Sequence, residues 1–264
     1  KDLRFLGVCR RSLSHIDLEA ATKHGVLVVN TPGRNARAVA ELTIGLMLSL
    51  ARHIPPSDSY VKKGLWEDPV SAYISHNGIE LQGKVLGLVG LGTVGKIVSK
   101  LAQTFGMEVL AYDPHVGQIG QRRAGALLSS LEDVLTKSLF ISLHAPFTSD
   151  TTGLLGKREF RFMKNGSFLI NTAAHELIDE DVLVRHLEED RLSGAALDVH
   201  QAHPIPPSSP LLKLNNVILT PHIGGATLET VERHSTMIVD DIERFISGIR
   251  PRRLTNPKAW RHHG

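Results

Sequence analysis

The sequence predicts an α/β protein with a doubly wound, mainly parallel sheet and a second, smaller domain. Three observations carry that expectation. Short apolar runs alternate with amphipathic stretches, the pattern of βαβ units. A glycine-rich turn, Gly90-Leu91-Gly92-Thr93-Val94-Gly95, joins an apolar strand-like run to a helix-like one. The length, 264 residues, exceeds one typical domain of about 100–200 residues and is short for three.

Taken in order, residues 5–8 and 26–30 read as buried strands around a helix at 18–24, with Asp17 as its cap. Residues 36–52 form a long helix that is apolar on nearly every face, so it must be buried between layers or between subunits. Residues 54–77 hold Pro55, Pro56, Trp66, Pro69 and Tyr73 with little periodicity and read as an irregular arm. Its isolated aromatics need cover, either from a second subunit or from the arm's own domain. The pattern then sharpens into strand 85–89, helix 93–105, strand 108–112, helix 131–136 and strand 139–143. Further strands are expected at 168–170, 194–197 and 217–219, with a helix at 181–189 between the first two. A last helix covers 228–246, stopped by Gly248 and Pro251.

Apolar residues make up 42% and charged residues 22% of the chain, which supports a sizeable core and excludes wholesale disorder. The formal charge is +3, and the basic residues are scattered except for Arg250, Arg252, Arg253, Lys258 and Arg261. That tail reads as a solvated terminus in preference to a nucleic-acid contact. Cys9 is the sole cysteine, which rules out an intrachain disulfide or a thiolate metal cluster and fits a reducing compartment. The first ten residues lack the apolar run of a signal peptide, and no segment approaches the ~20 apolar residues of a membrane span. A cytoplasmic protein is expected.

Three glycines at this spacing are a weak signal alone; their setting between strand and helix gives them a mechanism. Gly90 permits the tight turn, Gly92 lets backbone approach a pyrophosphate, and Gly95 lets the helix pack on the sheet. The first N–H groups of the helix, at Thr93 and Val94, lack intrahelical partners and form an anion site. Asp113 ends the next strand, where a carboxylate accepts from the ribose hydroxyls of NAD and repels the extra phosphate of NADP. Pro114 and His115 offer no arginine for that phosphate, and Arg122 and Arg123 come late for the role. FAD would place the same fingerprint at the N-terminus, whereas here it lies mid-chain.

Beyond that loop, a series of motifs resembles the D-isomer-specific 2-hydroxyacid dehydrogenases along nearly the whole chain. They are Val28-Val29-Asn30-Thr31-Pro32-Gly33, Ala38-Val39-Ala40-Glu41, Leu81-Gln82-Gly83-Lys84, Phe105-Gly106-Met107 and Ser142-Leu143-His144-Ala145-Pro146. Met163-Lys164-Asn165-Gly166, Gly194-Ala195-Ala196-Leu197-Asp198-Val199 and Thr220-Pro221-His222-Ile223-Gly224-Gly225 complete the series. The resemblance implies a Rossmann domain for NAD over residues 34–224, with a dimerising arm. It also implies a smaller flavodoxin-like substrate domain from residues 1–33 and 225–264. Family members carry additional residues ahead of the point where this chain starts, so the substrate domain is expected to be shortened, by truncation or by reduction. It further implies that the cofactor meets His144, Pro146, Thr172, Ala173, Asp198, His222 and Gly224, that the substrate is a 2-hydroxyacid or 2-ketoacid, and that the protein is a homodimer.

Such a reaction needs a base for the hydroxyl proton, a cation to hold the carboxylate and polarise the carbonyl, and a group that tunes the base. In the family these are a histidine, an arginine and a glutamate. His222 matches the histidine, but the arginine's position holds Ala174 and the glutamate's holds His203. The substrate loop also departs, since Arg10-Arg11-Ser12-Leu13-Ser14 stands where the family has glycines. Arg11 and Ser12 would restrict the backbone there, and Arg10 or Arg11 would have to supply the missing cation from another direction. An imidazole in place of the carboxylate disfavours the protonated form of His222, because neighbouring cations repel. His175, His203 and His222 invite a metal site, but no second shell accompanies them, and no metal is expected. Two functions follow: a slow NAD-dependent oxidoreductase of this type, or a non-catalytic NAD-binding sensor or interaction module.

Overall fold

The computed structural model describes residues 2–117 and 124–262, which leaves Arg122 and Arg123 outside the described residues. The chain divides into two compact units, residues 1–38 with 225–264, and residues 39–224. The sequence-based boundaries fell after residues 33 and 224.

In the first unit, strands β1 (Phe5–Val8) and β2 (Leu27–Asn30) pair in parallel, joined through helix α1 (Leu18–Lys23). Asp17 caps that helix, its carboxylate accepting from the Ala20 N–H at 2.8 Å. The basic tail is solvated only in part: Arg250, Arg252 and Lys258 are exposed, but Arg253 is not. Arg253 donates to Asp240 and to the fully buried Asp241, at 3.0 Å each, and to the Met237 carbonyl. Leu254 bridges antiparallel to Val29, and the buried Asn256 side chain bonds the backbone of Val26 and Val28. The tail therefore satisfies polar groups of the strand and helix it packs on, which composition alone could not show. The Arg261 side chain lies outside the described residues.

The second unit holds a parallel sheet of β3 (Val85–Val89), β4 (Glu108–Tyr112), β5 (Leu127–Leu128), β6 (Phe140–Leu143), β7 (Ser167–Asn171), β8 (Leu192–Leu197) and β9 (Val217–Leu219). Their order across the sheet is β5-β4-β3-β6-β7-β8-β9. Chain order runs outward both ways from the β3/β6 pair, so the crevice at the carboxyl ends of these strands is the topological switch point of a doubly wound sheet. Alternating residues feed two cores. Leu86, Leu88, Phe140, Phe168 and Ile170 pack on one face with Ile44, Met47 and Leu50 of helix α2 (Ala36–Ala51). Val89, Ile141, Leu143 and Leu169 pack on the other with Val134, Leu135 and Phe160. Helix α2 is thus apolar because it is a layer of the core.

The arm is not irregular. It contains helices α3 (Ile54–Lys62) and α4 (Pro69–Ser75), with prolines only in their first turns, where a missing N–H costs nothing. Asp68 caps the second through the Val70 and Ser71 N–H groups, which hold its carboxyl below the usual carboxylate range. Neither helix buries a residue, so neither shows the apolar stripe that periodicity detects. Leu65, Trp66, Val70, Tyr73 and Ile74 are all more than half exposed.

Candidate active site

The loop after β3 enters helix α5 (Thr93–Thr104) through Gly92, whose N-cap position carries no side-chain cap. Gly90 has φ +101°, and a Cβ there would meet the Ala145 backbone nitrogen at 2.5 Å. A Cβ on Gly95 would overlap the Gly90 carbonyl oxygen, while one on Gly92 would meet nothing within 4 Å. Turn, strand and helix therefore close tightly on one another, and space stays open at Gly92 over the helix N-terminus. This fits a diphosphate, which would be held by the uncapped N–H groups of the first turn. Asp113 fixes the loop from the next strand, its Oδ2 accepting from Leu91 N–H at 2.7 Å and its Oδ1 from His115 N–H at 2.9 Å. The sequence assigned Asp113 to a ribose; its bond to Leu91 adds a second task that no spacing announced.

His144 follows β6, its backbone N–H donating to the Val89 carbonyl and its Nε2 lying 2.9 Å from the Ser142 hydroxyl. Its ring is enclosed although the residue keeps some accessible surface, and burial pushes its pKa down to about 3, so the imidazole is neutral. Pro146 is exposed, and its carbonyl accepts from Thr151. After β7, the Asn171 side chain organises the next turn. Its Oδ1 accepts from the Ala173 and Ala174 N–H groups at 3.0 and 3.3 Å, and its Nδ2 donates to the Ala174 carbonyl at 2.8 Å. Thr172 is buried with its hydroxyl 3.0 Å from that of Thr43. The turn around position 174 is thus firmly built, but it presents a methyl group.

Asp198, just past β8, is almost fully buried and serves as an internal anchor. Its Oδ1 accepts from the Thr220 hydroxyl at 2.6 Å and Ile223 N–H at 2.8 Å, and its Oδ2 from Gly224 N–H at 2.7 Å. These bonds grip the turn on both sides of His222, which adopts φ +57° with its N–H on the Thr220 carbonyl. A histidine in the left-handed region is held there by its surroundings, a form of strain common at functional sites. His222 Nδ1 lies 3.2 Å from His203 Nε2, so the pair suggested by sequence meets directly. His175 turns elsewhere, its Nδ1 3.2 Å from a Glu176 carboxylate oxygen, and among the described residues no three ligands are arranged to hold a metal ion. Arg10 and Arg11 are exposed in the first unit, and neither Arg11 nor Ser12 has a positive φ, so the expected backbone restriction there carries no strain.

Gly90 to Gly95, Asp113, His144, Ala173, Asp198 and His222 all lie at the carboxyl ends of the strands of one sheet. Asn171 and Thr220 belong to the same framework and were not singled out: Asn171 bonds the backbone of its own turn and Thr220 donates to Asp198, supporting roles that no residue spacing announces. Residues 44–224 match the family model for the D-isomer specific 2-hydroxyacid dehydrogenase, NAD binding domain. The chain belongs to the D-isomer specific 2-hydroxyacid dehydrogenase family. It is 40% identical over 256 residues to a D-3-phosphoglycerate dehydrogenase of Archaeoglobus fulgidus, covering 97% of this chain and 48% of that protein. With a glyoxylate reductase of Thermofilum pendens it shares 36% identity over 259 residues, 98% of this chain and 76% of the relative. The structure of D-lactate dehydrogenase with NAD+ from Lactobacillus jensenii superposes with a TM-score of 0.85 at 28% identity, over 96% of this chain and 78% of that one. The chain spans about half the length of the phosphoglycerate dehydrogenases it matches. As a member of this family it carries the family's NAD-binding domain, and no helix among the described residues is long and apolar enough to cross a membrane.

Proposed function

We propose that the protein is an NAD-dependent oxidoreductase that interconverts a 2-hydroxyacid and a 2-ketoacid. The observation that carries this reading is the turn holding His222, gripped by Asp198 on the same sheet edge as the glycine loop and Asp113. When bound, the dinucleotide supplies the hydride chemistry. Gly90, Gly92, Thr93, Val94 and Gly95 hold its diphosphate and Asp113 its ribose, which favours NAD over NADP. His144, Pro146, Thr172, Ala173, Asp198 and Gly224 form the remainder of the pocket, the last two chiefly by fixing His222. His222 moves the proton of the substrate oxygen as general acid and base.

Residues 39–224 are read as the cofactor domain and the two chain ends as the substrate domain. The exposed apolar residues of α3 and α4 support a homodimer formed through the arm, and the cytoplasm is the compartment that the single exposed cysteine fits. The dehydrogenases and reductases among its relatives favour an enzyme over a non-catalytic module.

Ala174 leaves the reaction without the cation that steadies the developing oxyanion, a loss typically of ~10²–10³ in turnover. Measured with NADH and a panel of 2-ketoacids, Ala174→Arg is expected to raise kcat/KM by a factor of that order. Tight NADH binding with no oxidation by either form, for any ketoacid, would overturn the enzymatic reading.

A further inference from the structure

The contact between His222 and His203 differs in kind from the one a glutamate would make. A carboxylate only accepts, so it fixes a neutral histidine as the Nδ1–H tautomer and leaves Nε2 as a bare base. Two imidazoles 3.2 Å apart, Nδ1 to Nε2, admit two uncharged arrangements. In one, His222 Nδ1–H donates to His203 Nε2, and His203 carries its proton on Nδ1. In the other, His203 Nε2–H donates to His222 Nδ1, and His222 carries its proton on Nε2.

We propose that His203 is a positioning residue that makes this pair a proton relay, switching His222 between bare base and neutral hydrogen-bond donor. The proposal rests on the oxidoreductase reading for its use, while the relay belongs to the two rings themselves. In the oxidising direction the substrate hydroxyl gives its proton to His222 Nε2, the His222 Nδ1 proton passes to His203 Nε2, and the His203 Nδ1 proton leaves to water. The electron pair leaves as the hydride of the proposed reaction. One proton enters and one departs, and neither ring ends the step charged. His203 is exposed, so water reaches the outlet residue. Three neighbouring features leave the His222 Nδ1–His203 Nε2 contact as the hydrogen bond between the two rings. Asp198 spends both oxygens on the turn. The nearby ring of His200 has its Nε2 at 2.8 Å from the Thr220 carbonyl, which fixes Nε2 as its donor and leaves that nitrogen no role in a relay. Ala174 brings no charge.

The relay links the tautomers of the two rings, because each arrangement fixes both at once. Long-range 1H–15N correlation on the full chain with 15N-labelled histidine, free of cofactor and at neutral pH, reads those tautomers directly. The expected result is that the neutral forms of His203 and His222 show averaged Nδ1 and Nε2 shifts with the same fraction of Nδ1–H in each ring. In His203→Glu, His222 is expected to collapse to the Nδ1–H form. A single tautomer for His222 in the unaltered protein, or unequal fractions in the two rings, would overturn the proposal. That readout needs no turnover, so a failed ketoacid panel with linked tautomers would count against the oxidoreductase reading alone.

Discussion

At the scale of single residues, the site is built from side chains that bond backbone. Asp113, Asn171 and Asp198 each accept from main-chain N–H groups of the loops that carry function. Such bonds position without adding a reactive group, which is why the motifs that revealed Gly90, Asp113 and His222 announced no role for Asn171, and none for Thr220 beyond its place beside His222. His144 has a measurable consequence. Burial lowers its folded-state pKa from 6.5 to about 3, so as pH falls the unfolded chain takes up the proton first. The stability associated with its neutral ring is complete above pH 6.5, declines as pH drops below that value, and stops declining near pH 3. Urea unfolding at pH 7.5 and at about pH 4.5 should show the unaltered protein losing on the order of 2–3 kcal/mol more than His144→Gln between the two. Equal losses would show that the ring is hydrated in the folded state.

At the scale of elements, the long helices and every strand but the two-residue β5 were legible, because their apolar residues recur with the period of the element that packs them inward. Strands β3, β4 and β9 and the final helix Leu228–Ile246 have the expected limits. Helices α3 and α4 were not legible, since they bury nothing and their prolines read as breakers. The six-residue helix Lys157–Phe162 was also missed, being too short to display a period of 3.6. The exposed face of the arm makes its own prediction. If Trp66, Tyr73 and Ile74 lie in a two-fold interface, Tyr73→Glu should convert a dimer to a monomer by native mass measurement, at little cost to the fold, because Tyr73 is 82% exposed. A monomeric unaltered protein would remove the arm's proposed role.

At the scale of the whole molecule, ligand linkage tests the cofactor site. NADH at 100 times its Kd should stabilise the folded state by about 2.7 kcal/mol, visible as a higher Tm, and Asp113→Ala should abolish most of that rise. An undiminished rise would show that the carboxylate holds only the backbone of Leu91 and His115. The order of residues alone was enough for the doubly wound fold, the glycine turn and the acid after β4, and its resemblance to the family set Ala174 and His203 against an arginine and a glutamate. These depend on short-range periodicity, on the backbone angles that only glycine tolerates, and on the order of motifs along the chain. Tertiary structure alone decided that His222 faces His203 through Nδ1 and Nε2, that Asp198 grips the turn between β9 and Gly224, and that Arg253 packs on Asp241 instead of facing water. Those partners are brought together by sheet order and helix packing, which juxtapose residues that spacing along the chain leaves unrelated.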